Sequence, residues 1–236
     1  MTNPERAADP AARHISRRWP VVSGISAMML AALLGLVVVV RANGAALEVD
    51  AEWMSEIIEH RMTVWEVPSL FMNTLGGGLF GVFVVPLVII LVLVLIKRPW
   101  AAGYYLGATV LSAVGVQLLK QVFGRARPED ILVTSDFGSF PSGHVANAAT
   151  MAVCLAIIFP RLWVVLAGAV YTIVMLLSRT YLGAHWLTDT IGGLLLGAGV
   201  AIVLWAPVAA KLDGERALAA RRRLERQRKR QKTLTS

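Results

Sequence analysis

Long, nearly unbroken apolar runs constrain this chain more than any other feature. Residues 21–40 read VVSGISAMMLAALLGLVVVV, and residues 79–96 read LFGVFVVPLVIILVLVLI. A helix of about 20 apolar residues crosses the hydrocarbon core of a bilayer. It also satisfies its backbone polar groups internally, as lipid requires. Six candidate spans follow, at about 21–40, 79–96, 100–119, 144–159, 162–178 and 188–207. The fourth is short, so it must borrow flanking residues or be partly buried in the bundle. Pro86 lies inside the second span, and Gly192, Gly193, Gly197 and Gly199 in the sixth would allow close helix packing. With 56% hydrophobic and only 16% charged residues, the chain is too apolar for a soluble domain. The expected fold class is therefore all-α, a polytopic six-transmembrane-helix bundle. It divides into a cytoplasmic N-terminal segment (1–20), a membrane domain (21–210) and a basic cytoplasmic tail (211–236).

Arg17 and Arg18 precede the first span as they would in a secretory signal, but its apolar run exceeds the usual signal core. An uncleaved helix is expected. The lone cysteine, Cys154, permits neither an internal disulfide nor a cysteine-based metal site.

Basic residues set the expected sidedness. With the N-terminus inside, seventeen Lys and Arg fall on inner segments and six on outer ones, which favours N-in and C-in termini. Ten of the seventeen lie in 211–232, read as a cytoplasmic anchor touching anionic lipid headgroups. No recognition motif accompanies that charge, so nucleic acid is not an expected partner. The first outer loop, 45–75, places Trp53, Ile57 and Val64 on one helical face, with Met54, Ile58 and Trp65 beside them. Glu52, Glu56 and Glu59 occupy the other side, as in an interfacial amphipathic helix.

Three blocks carry the chemistry: Lys120 with Arg127-Pro128, then Pro141-Ser142-Gly143-His144, then Ser178-Arg179 with His185 and Asp189. The sidedness above puts all three at the extracytoplasmic face. A proline restricts the geometry of Arg127, whose planar fork suits phosphate oxygens, while Lys120 adds a point charge. Arg125 is a plausible helper. Pro141 and Ser142 read as the start of a helix, with Ser142 as its cap. The free N–H groups there bind anions, so Ser142 and Gly143 form a candidate phosphate cradle. A plain helix cap beside an interfacial histidine is the alternative. His185 and Asp189 are four apart, one helical turn, which suits a carboxylate that orients an imidazole. His144, His185 and Asp189 could hold zinc in principle. Three converging cations, however, repel a divalent ion and attract the oxygens of a phosphoryl group. No metal or other cofactor is expected.

Lys120-x6-Arg127-Pro128, Pro141-Ser142-Gly143-His144 and Ser178-Arg179-x5-His185-x3-Asp189 resemble the three-part signature of the type-2 phosphatidic acid phosphatase superfamily, which shares its core with vanadium haloperoxidases. The resemblance implies that His185 is the nucleophile, forming a phosphohistidine, and that Asp189 orients it. It makes His144 the acid for the leaving oxygen. Lys120, Arg127, Ser142, Gly143 and Arg179 would hold the phosphoryl oxygens. A plasma-membrane lipid phosphatase follows, with a membrane lipid as substrate, foremost the undecaprenyl diphosphate of cell-wall synthesis. Phosphatidylglycerophosphate, phosphatidic acid and polyprenyl-phosphoryl sugar phosphates are the alternatives. A phosphotransferase on the same scaffold, or a non-enzymatic lipid-handling protein, are the other classes. The oligomeric state is not legible.

Overall fold

The computed structural model describes residues 10–43 and 46–234. Residues 1–9 of the expected N-terminal segment, and the last two of the tail, lie outside it. The described residues form eight α-helices: α1 (Pro10–Ala42), α2 (Glu48–Glu59), α3 (Thr63–Gly76), α4 (Val85–Leu95), α5 (Pro99–Phe123), α6 (Gly143–Ile158), α7 (Leu162–Tyr181) and α8 (Leu187–Leu234). A π-helical turn, Phe80–Val84, leads into α4. No strand occurs among the described residues.

Four helices contain stretches long and apolar enough to cross a membrane: Arg18–Arg41, Pro99–Phe123, Leu162–Tyr181 and Leu187–Arg222. A bent pair is a fifth candidate. Thr63–Gly76 and Phe80–Leu95 meet at 48° across the glycine run Gly76-Gly77-Gly78, and only together are they long and apolar enough to cross. The remaining apolar segment is α6, only 16 residues long. It is enclosed by α5, α7 and α8, with Val145, Ala146, Ala148, Ala149, Thr150, Cys154 and Ile158 buried. A helix shielded by protein on several sides need not match the bilayer thickness.

The expected amphipathic stretch of the first outer loop is two helices. The chain leaves α2 at His60 and restarts at Thr63, which puts Val64 and Trp65 on α3. On α2, Met54 is buried, Trp53 and Ile57 are half-buried, and Glu52, Glu56 and Glu59 are exposed. On α3, Val64, Trp65, Val67, Leu70 and Phe71 are exposed and belong to the first half of the bent pair.

Helix α8 is the hub, packing on α1, α5 and α6. Small residues make this possible. A Cβ on Gly193 or Gly197 would collide with the α6 backbone at Ser142 or Ala146, and Gly24 of α1 and Gly199 of α8 oppose each other backbone to backbone. Helix α8 also continues without interruption through the expected tail boundary at 210. Beyond it, Leu212 is fully buried, and Glu215 accepts hydrogen bonds from Trp100 N and Ala101 N at the start of α5.

This connectivity gathers chemistry at one end of the bundle. Lys120 lies in the last turn of α5, Arg179 in the last turn of α7, and Gly143 and Asp189 in the first turns of α6 and α8.

Candidate active site

A cavity of about 400 Å³ opens at that end, lined by Lys120, Arg127, Gly143, His144, Arg179 and His185. Six of the eight residues expected from the sequence therefore share one wall. The other two stand behind it, Ser142 fully buried and Asp189 fully buried beneath His185.

His185 sits in the short turn between α7 and α8. Its Nδ1 lies 2.8 Å from the carbonyl oxygen of Ser139. A carbonyl only accepts, so Nδ1 carries the proton and Nε2 presents a lone pair. Nε2 is 3.4 Å from Arg127 Nη1 at the cavity. Burial pushes the imidazole well below its ordinary titration range, reinforced by Arg179, Arg127 and Lys120. It is neutral at neutral pH, in the tautomer a nucleophile needs.

Asp189 does not take His185 Nδ1 directly. Its Oδ2 is 3.7 Å away, beyond hydrogen-bond distance. The two connect through Ser139, whose hydroxyl donates to Asp189 Oδ2 while its carbonyl accepts from the imidazole. Trp186 N also donates to Asp189 Oδ2, at 2.9 Å. The four-residue spacing brings the pair together, but a serine forty-six residues upstream completes the link.

Ser142 occupies the N-cap position of α6, yet its side chain does not cap the helix. Its backbone N–H is taken by Asp189 O at 2.9 Å. Its buried Oγ has no hydrogen-bond partner among the described residues. An unpaired buried hydroxyl is costly, and a ligand oxygen in the cavity would relieve it. The same holds for buried Arg179 Nε. The N–H groups of the first turn of α6, starting at Gly143, lack intrahelical acceptors and add further anion donors.

Arg179 and His144 are both held by Asn73 of α3. Arg179 Nη1 donates to Asn73 Oδ1, and His144 Nε2 donates to Asn73 O at 3.1 Å. Gly77 makes this contact possible, since a Cβ there would overlap the His144 ring. The helix before the bend thus places two site residues. The triple glycine that follows it is the one local mark of the bend.

Lys120 and Arg127 meet a residue that no motif indicated. Lys120 Nζ lies 2.9 and 3.0 Å from the two carboxylate oxygens of Asp136, and Arg127 Nη2 lies 2.7 Å from Oδ1. Both cations also donate to Gly138 O, at 3.0 and 2.9 Å. Burial disfavours the Asp136 charge, but the hydrogen bond and field of Lys120, with Arg127, hold its carboxyl below the usual range. Asp136 lines the cavity, so a carboxylate already sits on two of the three cations. Arg125 is not the phosphate helper expected. It turns away from the cavity, with Nη1 2.5 Å from Asp189 Oδ1 and Nη2 2.5 Å from Asp50 Oδ2.

The fold defines a helical membrane protein with a pocket at one end of its bundle that is lined by Lys120, Arg127, Arg179, His144 and His185. Residues 101–212, just under half of the chain, match the family model described as PAP2 superfamily. The chain is 33% identical over 110 residues to a lipid A 1-phosphatase of Rhizobium johnstonii, covering 42% of this chain and 44% of the relative. It is 33% identical over 100 residues to an undecaprenyl-diphosphatase of Sulfolobus acidocaldarius, covering 41% and 48%. The matches thus span less than half the length of these curated relatives. The fold resembles the crystal structure of a transmembrane PAP2-type phosphatidylglycerolphosphate phosphatase from Bacillus subtilis. That likeness has a TM-score of 0.67 at 23% identity, covering 77% of this chain and 94% of that one.

Proposed function

We propose that this protein is a metal-independent membrane phosphatase acting on a lipid-linked phosphate or diphosphate through a phosphohistidine at His185. The observation that carries the reading is the state of His185. Its Nε2 lone pair faces a cavity that also receives Lys120, Arg127 and Arg179. Nε2 attacks phosphorus as the ester or anhydride P–O bond breaks. Water then cleaves the N–P bond. Charge on the equatorial phosphoryl oxygens meets the three cations, the free hydroxyl of Ser142 and the amides at Gly143. Displacement of Asp136 by the incoming phosphate frees Lys120 and Arg127 for this role. His144 protonates the leaving oxygen as the imidazolium, which requires it to take up a second proton on Nδ1 while Nε2–H stays on Asn73 O.

The substrate proposed is a polyprenyl diphosphate, with lipid monophosphates as the competing class. The names of the two curated relatives, one for each class, support testing both. The cavity runs from the cations down between α5 and α6 past Ala113, Val116 and Val82, a path suited to an apolar tail. The bilayer arrangement proposed has six crossings, counting the bent pair and α6. The helix α2 lies at the outer interface, both termini are cytoplasmic, and the cavity faces outward. The excess of inner Lys and Arg supports this sidedness.

The test is phosphate release by purified protein from undecaprenyl diphosphate, phosphatidylglycerophosphate, phosphatidic acid and lipid A, with EDTA present. Release from at least one lipid, unaffected by EDTA and absent in His185→Ala, is expected. Activity lost with EDTA and restored by a divalent metal refutes the reading.

A further inference from the structure

Helix α2 reaches the catalytic pair from outside the bundle. Asp50, Arg125 and Asp189 are each essentially inaccessible to solvent. Asp50 Oδ1 accepts from Thr188 N at 2.9 Å, and Oδ2 accepts from Thr188 Oγ1 at 2.7 Å and from Arg125 Nη2 at 2.5 Å. Arg125 Nη1 donates to Thr188 Oγ1 at 2.7 Å and to Asp189 Oδ1 at 2.5 Å. One guanidinium therefore lies between two buried carboxylates. Burying a second carboxylate is expensive, and an apolar residue would dock α2 without that cost.

The groups facing His185 give the extra charge a use. Lys120 comes from α5, Arg127 from the following loop, His144 from α6 and Arg179 from α7. Asp136 offsets Lys120 and Arg127 on the cavity side. Behind the ring Asp189 Oδ2 lies 3.7 Å from Nδ1, and Arg125 links that carboxylate to Asp50. When Nε2 bonds to phosphorus, the leaving oxygen departs with the P–O electrons and takes a proton. The ring keeps its Nδ1–H and becomes a cation. When water cleaves the N–P bond, the ring regains its neutral form.

We propose that Asp50 is a positioning residue for this site: through Arg125 it orients Asp189, and its charge stabilises the cationic phosphohistidine. The inference deepens the phosphatase reading and rests on it. It makes α2 part of the catalytic apparatus as well as a surface helix.

The experiment compares Asp50→Asn, Asp50→Glu and Thr188→Val with wild type, all as full-length protein in detergent, on a lipid that the wild type hydrolyses. Thermal melting is measured in parallel to report folding. Asp50→Asn is expected to lower kcat about tenfold with KM within about twofold. It also removes one negative charge from the buried cluster linked to Asp189, which shifts the acid limb of kcat/KM downward. At an effective dielectric of about 20, a unit charge about 10 Å away corresponds to about one pH unit. Asp50→Glu and Thr188→Val disturb the packing but keep every charge, so their acid limb stays in place while kcat falls.

A folded Asp50→Asn with unchanged kcat overturns the proposal. So does lost kcat with the limb unmoved, which marks a structural role only. Should Asp50→Asn not fold, a limb that moves in either charge-preserving variant also overturns it. Failure of the phosphatase reading itself would appear in the wild type, as no lipid phosphate released.

Discussion

Asp136→Asn offers a quantitative check on how this site binds phosphate. In the free protein its carboxylate contacts Lys120 Nζ at 2.9 Å and Arg127 Nη2 at 2.7 Å. An incoming phosphate must break both pairs. The Asp136 side chain is 58% exposed, so each pair is screened and contributes at the level of a surface ion pair. That level is about 0.2–1 kcal/mol per pair, or about 1 kcal/mol for both after allowing for screening. Removing the charge while keeping the shape should tighten inhibition by inorganic phosphate or orthovanadate about fivefold. KM for the lipid should fall in proportion. Asparagine still offers an oxygen to both cations, which keeps the loop in place. Because the carboxyl titrates below its usual range, it stays ionised throughout assay pH. The effect should therefore be constant from about pH 5 to 8. The assay is phosphate release with increasing orthovanadate, wild type against variant. Unchanged or weaker inhibition in Asp136→Asn would refute the competition, and would mean that the carboxylate supports the bound state instead.

Two further predictions concern the histidines. His144→Ala should cost most for lipid substrates with poor leaving groups, on the order of 10²–10³ in kcat, and much less for an activated aryl phosphate. Equal losses on both would remove His144 from the role of acid. For His185, burial and the surrounding cations lower the folded-state pKa, so the acid limb of kcat/KM should fall below about pH 6.5. The unfolded chain takes up that proton first, so the His185 contribution to stability is present above about pH 6.5 and is lost as pH falls toward the folded-state value. An acid limb at or above 6.5 in a pH–rate profile contradicts the neutral, buried imidazole.

Much of the architecture was legible because lipid leaves few options. An apolar run near 20 residues long has essentially one solution, so the spans around α1, α5, α7 and α8 could be placed from the sequence. Fixed charges at the ends of such helices are costly and stand out, which is why Lys120, Arg179 and Asp189 were visible. The bent pair of helices was harder to see. Residues 63–76 are less uniformly apolar than 79–96, and the glycines between them read as loop. Partners distant in sequence left no local trace. Asp50 meets Thr188 across 138 positions and Asn73 meets Arg179 across 106. Asp136 and Ser139 lie in an irregular segment with no period to read. Ser142 was legible as a helix start but not in its side-chain direction. That direction follows from the tertiary bond between its N–H and Asp189 O.

The central claim is a covalent bond between phosphorus and His185 Nε2. It is tested most directly by mixing the purified protein with a ³²P-labelled lipid substrate, quenching during turnover, and mapping the label. The account predicts label on the peptide bearing His185, labile to acid, stable to base and absent in His185→Ala. Turnover of the lipid with no labelled protein at any quench time, or with label on another residue, would contradict it.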